Sequence, residues 1–303
     1  MDTPAIDPLA GLDGVPWHRL YTTHGRAAFV PEWLRAIRDN RPFEEIRLGP
    51  RPWELVHQGT PGQVAAHVVP FLVALADDRA VLRRTWLVDL LREIAFGGHW
   101  DDRDLPFEPP QAWTNPVPVD EARMTAAVDR MFREDELDDD DLELVDIAAV
   151  RWAAEGYRAV ASHTEAYTRW VLDPDPVFAA SSAGLIVWFP IDGAAVAALM
   201  AVSSDLPHAE ARASANLALA HVSDTDLRID HCLISQLTSH NPLICLTAAI
   251  AVAYRRGEDL PDTALRALID ARGEEHLHDV AGWERSLTGF VARAIHRLGL
   301  GWP

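Results

Sequence analysis

The chain has 303 residues, 49% of them hydrophobic and 24% charged, a composition that supports a large packed core and excludes a disordered tether. Its formal charge of −19 excludes the continuous basic surface that nucleic-acid binders use to displace counterions from phosphates. No apolar stretch reaches the roughly 18 residues of a membrane span, and two cysteines, Cys232 and Cys245, are too few for a disulfide framework.

The opening residues, MDTPAIDPLAGLDG, lack a basic region followed by an apolar run, so no secretory leader is expected there. Together with the two cysteines, each set among Leu, Ile and Ala as a buried small side chain, this leads to the expectation of a cytoplasmic protein. Residues 16–24 read as a short helix, and 29–40 as a second with Trp33, Leu34 and Ile37 on one face. Residues 53–58 read as the end of a third, stopped by Gly59. Thr60 is then expected as the N-cap of the next helix and Pro61 as its first residue, where a missing N–H costs nothing. That helix carries Val64, Val68, Phe71, Leu72 and Leu75, with Pro70 inside it as a bend; another spans 80–96 and ends at Gly97 and Gly98.

The helical beat then stops. HWDDRDLPFEPPQAWTNPVP holds five prolines and three aromatic residues, so residues 97–118 are expected to be a long ordered loop anchored by Trp100, Phe107 and Trp113. A helix over 124–132 leads into REDELDDDDLE. Its eight carboxylates read either as a lure for a basic partner or as a solvated turn that places acid at the next helix N-terminus. Helices are predicted over 142–154, 157–172, 177–189, 193–202, 208–221, 227–239, 243–256, 263–271 and 283–298, with the last as a cap. Alanine-rich interiors such as ARASANLALA let neighbouring helices approach closely.

Apolar stretches of helix length, recurring every 30 to 40 residues between Pro, Gly or Asp breaks, imply an all-α stack of helical hairpins, an α-α superhelix. We expect one solenoid over 1–303, with N-terminal hairpins in 1–96, the irregular Trp- and Pro-rich loop in 97–118, and repeats over 119–303. The unit DPDPVFAASSAGLIVWFP followed by AALMAV resembles a HEAT repeat. The segments YTTHGRAAFVPEWLRAI and WELVHQGTPGQVAAHVVPFLVAL are similar to a group of small bacterial HEAT-repeat proteins with an HQGT turn before an apolar VPFL helix. The resemblance implies a HEAT-like α-solenoid that serves as a binding scaffold. Where such units often place an Arg after the joint, Phe178 stands here, which implies an irregular stack able to build closed pockets.

Two residue groups suggest chemistry. Glu54 and His57, three apart, would share a helix face as an acid/base pair, with Trp53, Gln58 and Thr60 orienting a substrate; the alternative is that His57 and Gln58 bond the last helix carbonyls. His99, Trp100, Asp101, Asp102 and Asp104, with Trp113 further along the loop, offer carboxylates beside aromatic rings for an amine or guanidinium group; the alternative is an exposed acidic loop with aromatic anchors. Glu54-x-x-His57 and Glu275-x-x-His278 each match half of a carboxylate-histidine metal motif, but no His is followed by Glu as in di-iron HEAT-like hydroxylases, so no metal and no cofactor are assigned. No P-loop, dinucleotide-binding, zincin or nucleophile-elbow motif occurs. Two functional readings follow. One is a scaffold binding a protein or peptide partner, favourably a basic one, on an acidic and aromatic face. The other is a metal-free enzyme of small-molecule metabolism, acting by acid/base, elimination or cyclisation chemistry on a cationic substrate beside His57. HEAT-like DNA glycosylases are disfavoured by the charge.

Overall fold

A computed structural model describes residues 7–42, 54–97, 101–205, 207–222, 226–272, 274 and 277–301. The described residues form an all-α protein with two minimal β-hairpins. They fall into two compact units, one of residues 1–100 and 109–163, the other of 101–108 and 164–303. Among the described residues no helix is long and apolar enough to cross a membrane.

In the first unit the chain begins with two short 3-10 turns, not the helix expected over 16–24, and then pairs β1 (Tyr21–Thr22) with β2 (Gly25–Arg26). The Thr22 hydroxyl donates to the Gly25 carbonyl at 3.1 Å, and Gly25 has φ of +134°, a hairpin geometry that competes with a helix. Helix α1 (Val30–Arg38) follows as predicted. A second hairpin pairs β3 (Val56–His57) with β4 (Thr60–Pro61) and precedes α2 (Val64–Asp77) and α3 (Arg84–Phe96). Gly97 caps α3 at φ of +59°. A Cβ there would lie 2.1 Å from the Gly59 carbonyl oxygen, so the glycine is what lets the hairpin turn touch the helix end.

The irregular stretch expected over 97–118 lies between α3 and a helix that begins at Glu121. It holds a 3-10 turn at Asp102–Asp104 and a one-turn helix, α4 (Gln111–Thr114). Trp113 is half-buried, with its ring 5.6 Å from that of Tyr157. Next come α5 (Glu121–Phe132) and α6 (Asp139–Ala161), a continuous rod where a break at 155–156 was expected. Gly156 does not end the helix; its bare Cα lets the Ile94 carbonyl oxygen of α3 come within 3.0 Å of where a Cβ would sit. Helices α2, α3 and α5 all pack on α6. The acidic run acts locally: Asp138 caps α6, residues 139–141 sit in its first turn, and Asp141 turns inward to pair with Arg130. Tyr21 stacks on Phe132 at 5.1 Å, and burial together with its bond to Asp129 pushes the Tyr21 hydroxyl up to about 12.

The second unit holds α7 (Thr164–Val171), α8 (Pro176–Ile186), α9 (Gly193–Asp205), α10 (Ala209–Ala220), α11 (Leu227–Gln236), α12 (Pro242–Arg256), α13 (Asp262–Ala271) and α14 (Leu287–Arg297). Side by side, α8, α10 and α12 form one layer, and α7, α9 and α11 form the other. The breakers act as predicted: Asp175 caps α8 and Asn241 caps α12, each followed by Pro in the first turn. The central layer is apolar nearly all round because both sides are covered. Its few polar groups are paired. Ser203 Oγ donates to Asn216 Oδ1 at 2.6 Å, Asn216 Nδ2 to Thr247 Oγ1 at 3.2 Å, and Ser214 Oγ to the Ala180 carbonyl at 2.7 Å. Cys232 is buried as expected, whereas Cys245 is half-buried and donates weakly to the Leu237 carbonyl.

Candidate functional site

The HQGT segment is a hairpin rather than an interhelix joint. Gln58 and Gly59, with φ of +48° and +83°, make the turn, and His57 faces Thr60 across the ladder. Glu54 and His57 therefore share no helix face, and Thr60 caps no helix. Glu54 is half-buried in the approach to the hairpin, where its carbonyl accepts from the Thr23 N–H at 2.9 Å, while His57, Gln58 and Thr60 are exposed. The His57 ring meets His24 edge-on at 4.9 Å. Trp53, His99, Trp100 and Glu275 lie outside the described residues.

The loop carboxylates do hold guanidinium groups, but the chain's own. Asp102, 2% exposed, accepts from Arg285 Nε on one oxygen and from Arg293 Nη1 at 2.7 Å on the other. Asp101 accepts from Arg285 Nη2 at 2.5 Å and from Arg103 Nε at 2.8 Å. Burial alone would raise the Asp101 carboxyl, yet these bonds hold it well below the usual carboxylate range. The expected seat for an external cation is thus already filled. Trp113 belongs to the first unit.

What sequence reading missed is a register. Helices α8, α10 and α12 begin at Pro176, Ala209 and Pro242, 33 residues apart in each case. The same spacing aligns SSAGLIVWF, SANLALAHV and TAAIAVAYR, starting at Ser181, Ser214 and Thr247. In that alignment Trp188, His221 and Tyr254 occupy one position, just past the ends of α8 and α10 and in the last turn of α12. Stacked repeats bring equivalent positions next to one another, so the three positions form a ladder in which the His221 and Tyr254 rings touch and Trp188 and His221 line one recess.

Two recesses open along it. The larger, of ≈ 740 Å³, is walled by Phe107, Trp188, Phe189, Met200 and His221; the smaller, of ≈ 430 Å³, by His221, Tyr254, Arg255 and Arg297. His221 is common to both. Its ring stacks on Trp283 at 5.7 Å and meets Tyr254 edge-on at 5.4 Å. The His221 side chain is 3% exposed, and its Nε2 is a buried atom with no hydrogen-bond partner among the described residues; Asp102 Oδ2 stands 4.0 Å away. Burial first, then the Arg293, Arg297 and Arg285 charges, push the imidazole down to about 3, so it is neutral at physiological pH. Burial also raises the Tyr254 hydroxyl, which donates to Asp102 at 3.5 Å. Among the described residues no three His, Cys, Asp or Glu side chains converge on a point that would hold a metal ion.

No known family model matches the chain, and no curated protein is similar to it.

Proposed function

We propose that the chain is a HEAT-like helical-repeat scaffold that binds a protein or peptide partner by seating a short apolar segment of it on the Trp188–His221–Tyr254 ladder. The observation that carries this reading is the repetition itself: one helix position in three successive repeats supplies the walls of two adjoining recesses. Their volumes fall within the range of ligand-sized clefts, and aromatic walls with a few polar groups suit an anchoring side chain. The internal charge pairs at Asp101 and Asp102 support placing the partner on the rings rather than on those carboxylates.

The chemistry of the groups favours binding over catalysis at this site. A general base works best with a pKa near the working pH. His221 lies far below that range and Tyr254 is shifted further above it. At the HQGT hairpin, the separation of Glu54 from a shared face with His57 gives the enzymatic reading little support.

Selection of displayed random peptides on the purified protein tests the proposal. Peptides enriched in aromatic or branched apolar residues are expected. Their binding should be lost in Ala197→Trp, which fills the larger recess from an exposed position, with helicity and melting temperature unchanged. Selected peptides that bind Ala197→Trp and Met200→Glu as well as the native protein would place the partner elsewhere.

A further inference from the structure

We propose that the smaller recess seats an oxyanion group, a carboxylate or phosphate monoester, attached to an apolar body that extends past His221 into the larger recess. This rests on the ladder being the ligand seat. It adds the chemical class of the group recognised there, which the chain's overall charge of −19 would not suggest.

The first observation is a local excess of positive charge. Arg285 and Arg293 are matched by Asp101 and Asp102, and Arg255 by Asp230, whose Oδ1 accepts from Arg255 Nε at 2.7 Å. Arg297 is the remaining cation. It makes no ion pair among the described residues, donates through Nη1 to the Tyr254 carbonyl at 3.2 Å, and lies 4.2 Å over the Tyr254 ring. Arg297 also lines the smaller recess, and the planar donor fork of a guanidinium is the shape that pairs with carboxylate or phosphate oxygens.

The second observation is His221, an imidazole more than nine-tenths buried that lines both recesses and whose sealed Nε2, 4.0 Å from Asp102 Oδ2, has no hydrogen-bond partner among the described residues. Buried polar groups are normally satisfied, and a neutral imidazole has one N–H to give. An oxyanion on the recess side of the ring supplies an acceptor for an N–H carried on its other nitrogen, Nδ1. The surrounding field agrees with this sign: desolvation and the neighbouring Arg293 lower Arg297, and His221 is depressed by burial first and then by three guanidiniums, although Asp102 stands close by. Asp102 is already shared by two guanidiniums, and Asp230, which also lines the recess, is held by Arg255, so Arg297 is the charge that an incoming anion meets unmatched. Beyond His221, the walls given by Phe107, Trp188, Phe189 and Met200 suit an aryl or alkyl body.

Four probes with one aromatic body and different heads separate the possibilities: naphthoate, naphthyl phosphate, naphthalenemethanol and naphthylmethylamine, titrated into the full chain by calorimetry. At least one of the two acids should bind about tenfold more tightly than the alcohol, and the one that does names the oxyanion. Arg297→Gln, and Leu227→Asp at an exposed position on the recess, should erase that preference and leave the alcohol unaffected, whereas Arg297→Lys should retain most of it. Circular dichroism checks that each variant is folded. Equal binding of acids and alcohol, preference for the amine, or a preference that survives Arg297→Gln would overturn the oxyanion assignment while leaving the ladder as the seat. Failure of all four probes to bind would overturn both.

Discussion

Arg293 Nη1 donates to Asp102 Oδ2 at 2.7 Å, tying the 3-10 turn at Asp102–Asp104 to α14 across 191 positions of sequence. Arg285 completes the arrangement on the other carboxylate oxygen. One short acidic turn thereby neutralises two cations from the C-terminal end of the unit.

Removing the Asp102 charge leaves both guanidiniums without their shared partner in a buried setting. Asp102→Asn should cost about 3–5 kcal/mol in urea unfolding, the usual penalty for breaking a buried ion pair from one side. Asp101 is 34% exposed at its side chain, so Asp101→Asn should cost about 1 kcal/mol or less. Equal losses from the two would show that burial is not what makes Asp102 matter.

Stability should depend on pH through His221. The unfolded imidazole takes a proton near pH 6.5 and the folded one only near 3, so between those values the unfolded state binds more protons. Its contribution is complete above about pH 6.5 and declines by about 1.4 kcal/mol per pH unit as pH falls toward 3. His163, lowered by burial against an opposing Asp77, acts in the same direction, so the informative quantity is the difference between native protein and His221→Gln. That variant should show a flatter urea midpoint from pH 6.5 to 4.5. A His221 ring-proton resonance that titrates near pH 6 would contradict the buried neutral imidazole.

Gly184 is needed for packing rather than flexibility. A Cβ there would meet the Gly282 carbonyl oxygen at 2.2 Å, and Gly282 itself stands at φ of +86° against Ala180. This close approach sets Trp283 beside His221, where the indole N–H donates to Ser214 Oγ at 2.9 Å. Gly184→Ala should cost roughly 1–3 kcal/mol through overpacking and loosen the Trp283 stack. Hydrogen exchange over residues 280–283 should speed up in the variant; unchanged protection with unchanged stability would refute the tight contact.

The 33-residue register was present in the sequence, since SSAGLIVWF, SANLALAHV and TAAIAVAYR align without a gap. Reading the segments as separate Ala-rich helices concealed the column of Trp188, His221 and Tyr254. The HQGT turn shows the opposite difficulty. Residues 53–58 carry no pattern long enough to separate a helix end from a short strand, and the contact of Gly59 with Gly97, which accompanies the hairpin, joins positions 38 apart.

The sequence alone determined where helices such as α8 and α12 begin, because caps such as Asp175 and Asn241 and the apolar period act within a few residues of themselves. It also determined the overall charge and the absence of a long apolar span. Tertiary structure decided which carboxylates are occupied, since Asp102 meets Arg285 and Arg293 only when residues 183 and 191 positions away are folded against it. It likewise decided that His221 is enclosed and neutral, because burial and the field of three distant arginines belong to the packed unit and to no segment of it.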